Sequence, residues 1–450
     1  MKNKNWARET AVKVLHKVLR EDAYSNIALR QELQNTDLSR LDKALVTEIV
    51  NGTVKNLIRI DWIMEQFVKT NKKRINPWIE DIIRCGIYQI MFLERVPDSA
   101  VCNESAELAR RFGHEGTVKF VNGVLRNISR SKEAVSYPDR VKNPVKFLSV
   151  YYSHPSWIVE RFIRDYGYEF TEGILKSNNE TPPFTIRVNT LKTDKEKLKS
   201  MLTNEGIEFE DGKYNYEALR IRGTSSLEDR ESFKAGLFQV QDESSMLTAR
   251  ILAPRPGELV LDVCSAPGGK TTHMAELMKN KGKIIARDIH DHKLKLIQES
   301  CVRLGIDIVT TELYDAKKLD KSLVGKLDKV LLDAPCSGLG VIRRKPDLRY
   351  KKQPDNFVEL AELQLLMLKN AAAYLRNGGE LVYSTCTINK EENINVIQRF
   401  LDDNKEYYTV SIRDSLPEGL VNEASEKGYI ELYPNINETD GFFIAKIKRR

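Results

Sequence analysis

From about residue 236 the sequence alternates between two kinds of segment, and few architectures accept that alternation. Runs rich in Val, Ile and Leu stand at 259–263 (LVLDV), 283–289 (KIIARDI), 307–313 (DIVTTEL), 328–334 (DKVLLDA) and 380–386 (ELVYSTC). Stretches with helical spacing separate them, at 270–279, 292–304 and 357–374. The runs lack the apolar–polar alternation of a strand with one wet face, so each is read as a strand covered on both sides. The result is an α/β, Rossmann-like domain on a mostly parallel sheet. Runs at 407–412, 428–433 and 442–448 add strands at its edge. Seven strands are expected.

The front of the chain follows a different period. Ala7, Ala11, Val14, Leu15, Val18 and Leu19 recur at helical spacing. So do Leu41, Leu45, Ile49 and Leu57, then Ile79, Ile82, Ile83, Ile87 and Ile90. Breaks fall at NPW (76–78), VPD (96–98) and FGHEG (112–116), so residues 1–140 read as an all-α bundle. Residues 1–150 hold 26 Lys and Arg against 18 Asp and Glu, while the net charge of the whole chain is +7. The positive surplus therefore belongs to the helical front, which suits a polyanion partner such as nucleic acid. The run KTNKKR (69–74) is a solvated turn or a phosphate contact.

Pro138, Pro144 and Pro155 punctuate a linker, and a short helix is expected over 156–166. FTIRVN (184–189) reads as a strand. Thr193 or Asp194 caps a helix that runs to about Asn204 and ends at Gly206, and a further short strand falls near 218–221. Three domains follow: helices over 1–140, a linker helix with a small α+β module over 141–235, and the α/β domain over 236–450.

Apolar residues make up 41% of the chain and charged residues 30%. No run approaches the ~18–20 apolar residues of a membrane span, and the start has no secretory core, so a cytoplasmic, non-membrane protein is expected. Six cysteines lie at wide, irregular spacings without a CxxC pair, which disfavours a zinc site or a disulfide framework. No metal is called for. Cys85 and Cys301 fall on apolar helical stretches and read as buried small hydrophobes.

The chemistry concentrates at strand ends. In LDVCSAPGGKTTHMAE (261–276) a strand ends in an acid, a Gly-Gly turn follows, and a helix begins. Backbone N–H groups at such a turn can approach a ligand. Cys264 stands where a GxxxxGK phosphate loop needs glycine, and GxGxxG is absent. Asp288 ends the next strand, where a carboxylate can accept ribose hydroxyls. Asp315 follows the third strand and Asp333 ends the fourth. In DAPCSGLGVIRRKPDLR (333–349), Cys336 sits in a turn after a strand, with Arg343, Arg344 and Lys345 close behind. YSTCT (383–387) puts Cys386 at the end of the next strand. Glu391, Glu392 and Asn393 open the following helix, where carboxylates suit its dipole. Two thiols beside a nucleoside-cofactor cleft suit methylation at carbon 5 of cytosine, in which a thiolate adds to carbon 6 and a second thiol assists release. The residues themselves leave open which thiol attacks. They also leave open a nucleotide-dependent redox enzyme, although no dinucleotide fingerprint is present.

These motifs resemble the RNA cytosine-C5 methyltransferase family, marked by its glycine loop and its Pro-Cys and Thr-Cys pairs. SHPSW (153–157), IRVNTLK (186–192), FQVQDESS (238–245) and DGFF (440–443) extend the resemblance over about 5–448, to the branch with a NusB-like RNA-binding front. The glycine loop reads CSAPGG where CAAPGG is commoner, and Asn435 follows Pro434 where histidine is frequent. The resemblance implies S-adenosylmethionine as cofactor and 16S ribosomal RNA as substrate, with cytosine 967 the expected target. It implies that Cys264, Ser265, Ala266, Pro267, Gly268, Gly269 and Lys270 hold the methionine end. Asp288 would hold the ribose, Asp315 the adenine, and Asp333 would stand at the methyl-transfer region. It makes Cys386 the nucleophile and Cys336 the thiol that promotes release, with Asp333 assisting. Arg343, Arg344, Lys345, Arg187 and Asn189 are expected on the RNA, and the chain is expected to act as a monomer. The same chemistry on transfer RNA or another ribosomal site, and a non-catalytic RNA-binding or antitermination role, are the alternatives.

Overall fold

The computed structural model describes residues 6–68, 75–222, 227–354 and 356–450. The basic run at 69–74 lies outside the described residues. The chain divides into two compact units: residues 1–180 with 342–352, and residues 181–341 with 353–450.

The first unit is helical. Among the described residues, seven helices run from Trp6–Arg20 to Glu115–Arg130, and three more follow at Pro144–Tyr151, Ser156–Tyr166 and Tyr168–Ser177. They begin and end at the sequence breaks: Asn76 accepts from the Trp78 N–H ahead of Pro77, and a helix ends at Phe112. Val14, Leu15, Ile49, Ile83 and Ile87 are among the fully buried core residues. Leu41, read as part of that face, is instead 82% exposed, because it lies in the outward first turn of Arg40–Lys55. Residues 342–352 are built into this unit. Asp347 accepts from the Ser25 N–H at 3.2 Å and from its Oγ at 2.7 Å. It thereby caps the helix Ser25–Gln34, whose own N-cap residue Tyr24 makes no side-chain cap bond. Arg349 is fully buried and donates to the carbonyls of Ser153 (2.9 Å), Lys55 (3.2 Å) and Asn178 (3.4 Å) and to Asn179 Oδ1 (3.1 Å).

The second unit carries two sheets. β1 (Phe184–Val188), β2 (Glu208–Asp211), β3 (Ala218–Arg222) and β4 (Phe238–Val240) form an antiparallel sheet in the order β2-β3-β1-β4. The helix Lys195–Asn204 follows β1, and its N-cap is Asp194, which accepts from the Lys197 N–H. The larger sheet contains β5 (Leu259–Asp262), β6 (Lys283–Asp288), β7 (Val309–Leu313), β8 (Leu327–Asp333), β9 (Leu375–Thr385), β10 (Tyr407–Thr409), β11 (Tyr429–Leu432) and β12 (Phe442–Arg449). Among the described residues it has eight strands, one more than expected: the order is β10-β12-β9-β8-β5-β6-β7, and β11 pairs with β12 off that path. β5 to β9 run parallel; β10, β11 and β12 pair antiparallel.

Burial explains the unbroken apolar strands. Val330 and Leu332 of β8 and Leu381 and Tyr383 of β9 pack with residues of Asn356–Ala373 and Ile394–Asp403. Leu331 and Val382 point the other way, toward Glu243–Leu252, Gly269–Leu277 and Asp291–Leu304. Both faces are apolar, so no polar alternation is possible.

Arg187 and Asn189, expected on RNA, are interior residues of this unit. Arg187 is fully buried and pairs with Glu276 at 2.7 Å, donates to the Gly269 carbonyl at 2.9 Å and also bonds Gln241. Asn189 is fully buried and donates to the carbonyls of Gly236 and Leu304. These two side chains join the small sheet to the helices of the large one rather than reaching a ligand. Arg187→Ala strands the Glu276 carboxylate in the interior, so a loss of about 3–5 kcal/mol is expected. Chemical denaturation of the second-unit transition measures it, and a loss below about 1 kcal/mol would contradict the assignment.

Candidate active site

The C-terminal ends of the parallel strands open onto a pocket of about 500 Å³. Cys264, Asp288, Asp315, Asp333, Cys336 and Cys386 all line it, so one cleft gathers the expected acids and both thiols. Lys293, His290, Tyr314 and Met367 also line it, and sequence reasoning did not single these out. They come from helices and loops whose inward positions carry no distinctive spacing.

The glycine loop forms one wall. Ser265 is buried and latches the loop to β6, its N–H and Oγ both reaching the Arg287 carbonyl, at 2.8 and 2.9 Å. The Ala266–Pro267 peptide is cis. Gly268 has φ +101°, a conformation that glycine adopts without strain, and Gly269 begins the helix Gly269–Leu277. Lys270, on that helix, pairs with Asp333 at 2.7 Å, and Ser384 Oγ donates to the other Asp333 oxygen at 2.7 Å. Burial works to lower the Lys270 pKa, but Asp333, with Cys386 and Asp262, overrides it and leaves the ammonium raised. Asp288 accepts from the His290 N–H at 3.0 Å, and Asp315 from the Lys317 N–H at 3.0 Å.

The donor set fits a nucleoside cofactor with an amino-acid end. Three carboxylates stand at strand ends along one cleft beside a glycine turn. Among the described residues, no group of three or more His, Cys, Asp or Glu could hold a metal ion, and no helix is long and apolar enough to cross a membrane.

The Sγ atoms of Cys336 and Cys386 lie 3.3 Å apart. The Cys336 thiol is pushed well up by its hydrogen bond with Cys386, by burial, and by the charges of Glu392 and Asp333. Cys264 is pushed up by burial and by Asp262, Asp333 and Asp288. Cys85 and Cys301 are buried in apolar cores. Arg343, Arg344 and Lys345 belong to the segment built into the helical unit and are not among the pocket residues. Arg343 is buried, Arg344 half-buried and Lys345 exposed. Glu392 was read as a partner of a helix dipole. The helix begins only at Ile394, and Glu392 is a fully buried acceptor in the turn before it.

A family model described as 16S rRNA methyltransferase RsmB/F matches residues 249–448. A NusB family model matches 5–130, and the RsmF/B-like ferredoxin-like domain matches 154–228. A protein of Bacillus subtilis named probable ribosomal RNA small subunit methyltransferase B is 41% identical over 450 residues, covering 99% of each chain. The chain belongs to the RsmB/F family. Among solved structures, PH0851 superposes over the whole of both chains with a TM-score of 0.82 and 29% identity. NSun6 from Pyrococcus horikoshii with SFG, an analogue of S-adenosylmethionine, superposes with a TM-score of 0.59 at 27% identity, over 66% of this chain and 98% of that one. RsmB/F proteins are S-adenosylmethionine-dependent methyltransferases, and this chain uses that cofactor.

The buried acid beneath the loop gives a pH test. Asp262 is fully buried; one oxygen accepts from Thr271 Oγ1 at 2.6 Å and the other has no partner. Burial raises its pKa to about 7, with Asp333 and Asp288 adding to the rise. A raised carboxyl pKa means the folded state holds the proton more tightly than the unfolded state. Stability is thus lost as pH climbs from the usual carboxylate range through about 7. Asp262→Asn should therefore melt higher than the parent at pH 8, with the gap closing toward pH 5. A pH-independent gap would contradict this.

Proposed function

We propose that the chain transfers a methyl group from S-adenosylmethionine to carbon 5 of one cytosine in 16S ribosomal RNA. Cytosine 967 is the expected target, in the cytoplasm. The observation that carries the reading is the thiol pair, 3.3 Å apart in the lining of the cleft and beside the Lys270–Asp333 pair.

The loop Cys264–Lys270 holds the methionine end, Asp288 the ribose and Asp315 the adenine. The bound cofactor supplies an electrophilic methyl group. Carbon 5 of cytosine is a poor nucleophile, so the Cys386 thiolate adds to carbon 6 and its electrons enrich carbon 5, which then takes the methyl. Lys270 favours the thiolate at Cys386 by its charge. Asp333 accepts from the exocyclic amine as positive character develops there. Loss of the carbon 5 proton to a base restores the double bond and expels Cys386, so one methyl enters and one proton leaves. Cys336, in contact with Cys386, promotes that release. The base must be reached face-on, which requires a loop or an extruded nucleotide. The basic helical unit, with Arg344 and Lys345, supplies phosphate contacts.

Labelled methyl transfer to unmodified small-subunit RNA, followed by mapping of 5-methylcytosine, tests the reading. Folded wild type that modifies no cytosine would overturn it. Cys386→Ala should lower turnover on the order of 10³-fold or more. Cys336→Ala should accumulate a protein–RNA adduct that resists denaturation. An adduct on Cys386→Ala in its place would reverse the two roles.

A further inference from the structure

A buried carboxylate without an ionic partner in the hydrogen-bond network calls for a reason, because stripping such a charge of water costs several kcal/mol. Glu392 is fully buried, and its partners are all neutral donors. Its Oε2 accepts from the Ser337 N–H at 2.8 Å and from Gln364 Nε2 at 3.1 Å. Its Oε1 accepts from Ser337 Oγ at 2.5 Å and Asn389 Nδ2 at 3.0 Å.

Three of these four donors come from the two cysteine loops, and Gln364 comes from the helix Asn356–Ala373. Ser337 follows Cys336 directly, and Asn389 lies three residues beyond Cys386. Ser337 Oγ also meets Thr387 Oγ1 at 2.8 Å, and Gln364 holds the Pro335 carbonyl at 2.9 Å. One carboxylate thus ties the residue after one thiol to the turn after the other.

The charges around the pair are uneven. Glu392 and Asp333 act on Cys336, which also lies in the field of the buried Tyr383 phenol, and the Lys270 ammonium acts on Cys386. We infer that Glu392 is the positioning residue of the thiol pair. Its carboxylate clamps the Pro-Cys and Thr-Cys loops together and places a fixed negative charge beside Cys336, so that the thiolate forms at Cys386. The inference rests on the reading of the two thiols above and adds a buried residue that is not among those lining the cleft.

The test is peptide-resolved alkylation of each cysteine against pH, in the full-length protein with a phosphine reductant and no RNA. It is paired with steady-state methyl transfer. In wild type, Cys386 should react at lower pH than Cys336. Glu392→Gln keeps the shape and removes the charge. The Cys336 profile should then move down by at least about one pH unit, roughly a tenfold gain in rate at fixed pH, while kcat falls about tenfold and the KM for S-adenosylmethionine holds. A folded Glu392→Gln protein whose Cys336 profile superimposes on wild type overturns the inference.

Should Glu392→Gln not fold, Ser337→Ala separates clamp from charge. It removes one donor and keeps the carboxylate, so kcat should fall at least about fivefold with the Cys336 profile unmoved. Turnover within twofold of wild type, or a profile that moves, overturns it. The alkylation profiles need no RNA, so they stand or fall apart from the wild-type methyl-transfer assay.

Discussion

The parallel pairing of β8 with β9 decides where the chemistry can happen. The strands run in register from Lys329 opposite Glu380 to Asp333 opposite Ser384. Neighbouring strands lie about 4.8 Å apart, so chain leaving the two C-terminal ends is held side by side. Cys336 comes three residues after Asp333 and Cys386 two after Ser384. Residues 50 apart in sequence are thereby delivered to a 3.3 Å contact. The register in turn depends on the apolar faces of Val330, Leu332, Leu381 and Tyr383. A slip by one residue would turn those side chains to the wrong layer.

Charge is then distributed around that contact by groups that also hold the structure. Asp333 joins the glycine-loop helix to β9 through Lys270 and Ser384, so the wall of the cofactor cleft and the thiol loops share one carboxylate. Glu392 serves the far side of the pair with four neutral donors. Hydrogen bonds to a charged group are stronger than neutral ones, which makes both carboxylates rigid reference points. The Gly268 turn and the Ser265 latch fix the opposite wall.

Much of this was legible because it follows from local rules. Apolar runs without polar alternation mark doubly covered strands, and an acid, a glycine turn or a cysteine directly after such a run must sit at the ligand-binding edge. Asp288, Asp315, Asp333, Cys336 and Cys386 are all of this kind. The strands β2 (EFED) and β4 (FQV) escaped notice because they are short, and β2 is polar and mostly exposed. Arg187 was misread because sequence displays its charge and conceals its partner Glu276, which is 89 residues away. Glu392 was misread for the same reason: its donors Ser337 and Gln364 lie on other elements. Membership of 342–352 in the helical unit depends on carbonyls of Lys55, Ser153 and Asn178, which no local pattern links to Arg349.

The account stands on Cys386 forming the bond to the base. RNA carrying 5-azacytidine at the target position accepts the thiolate and a methyl but has no carbon 5 proton to lose, so the adduct persists. Digestion and mass spectrometry of that adduct identify the attached peptide. The account predicts the nucleotide on the peptide containing Cys386. Its attachment to Cys336, or the absence of any covalent species from protein that binds both RNA and cofactor, would contradict it.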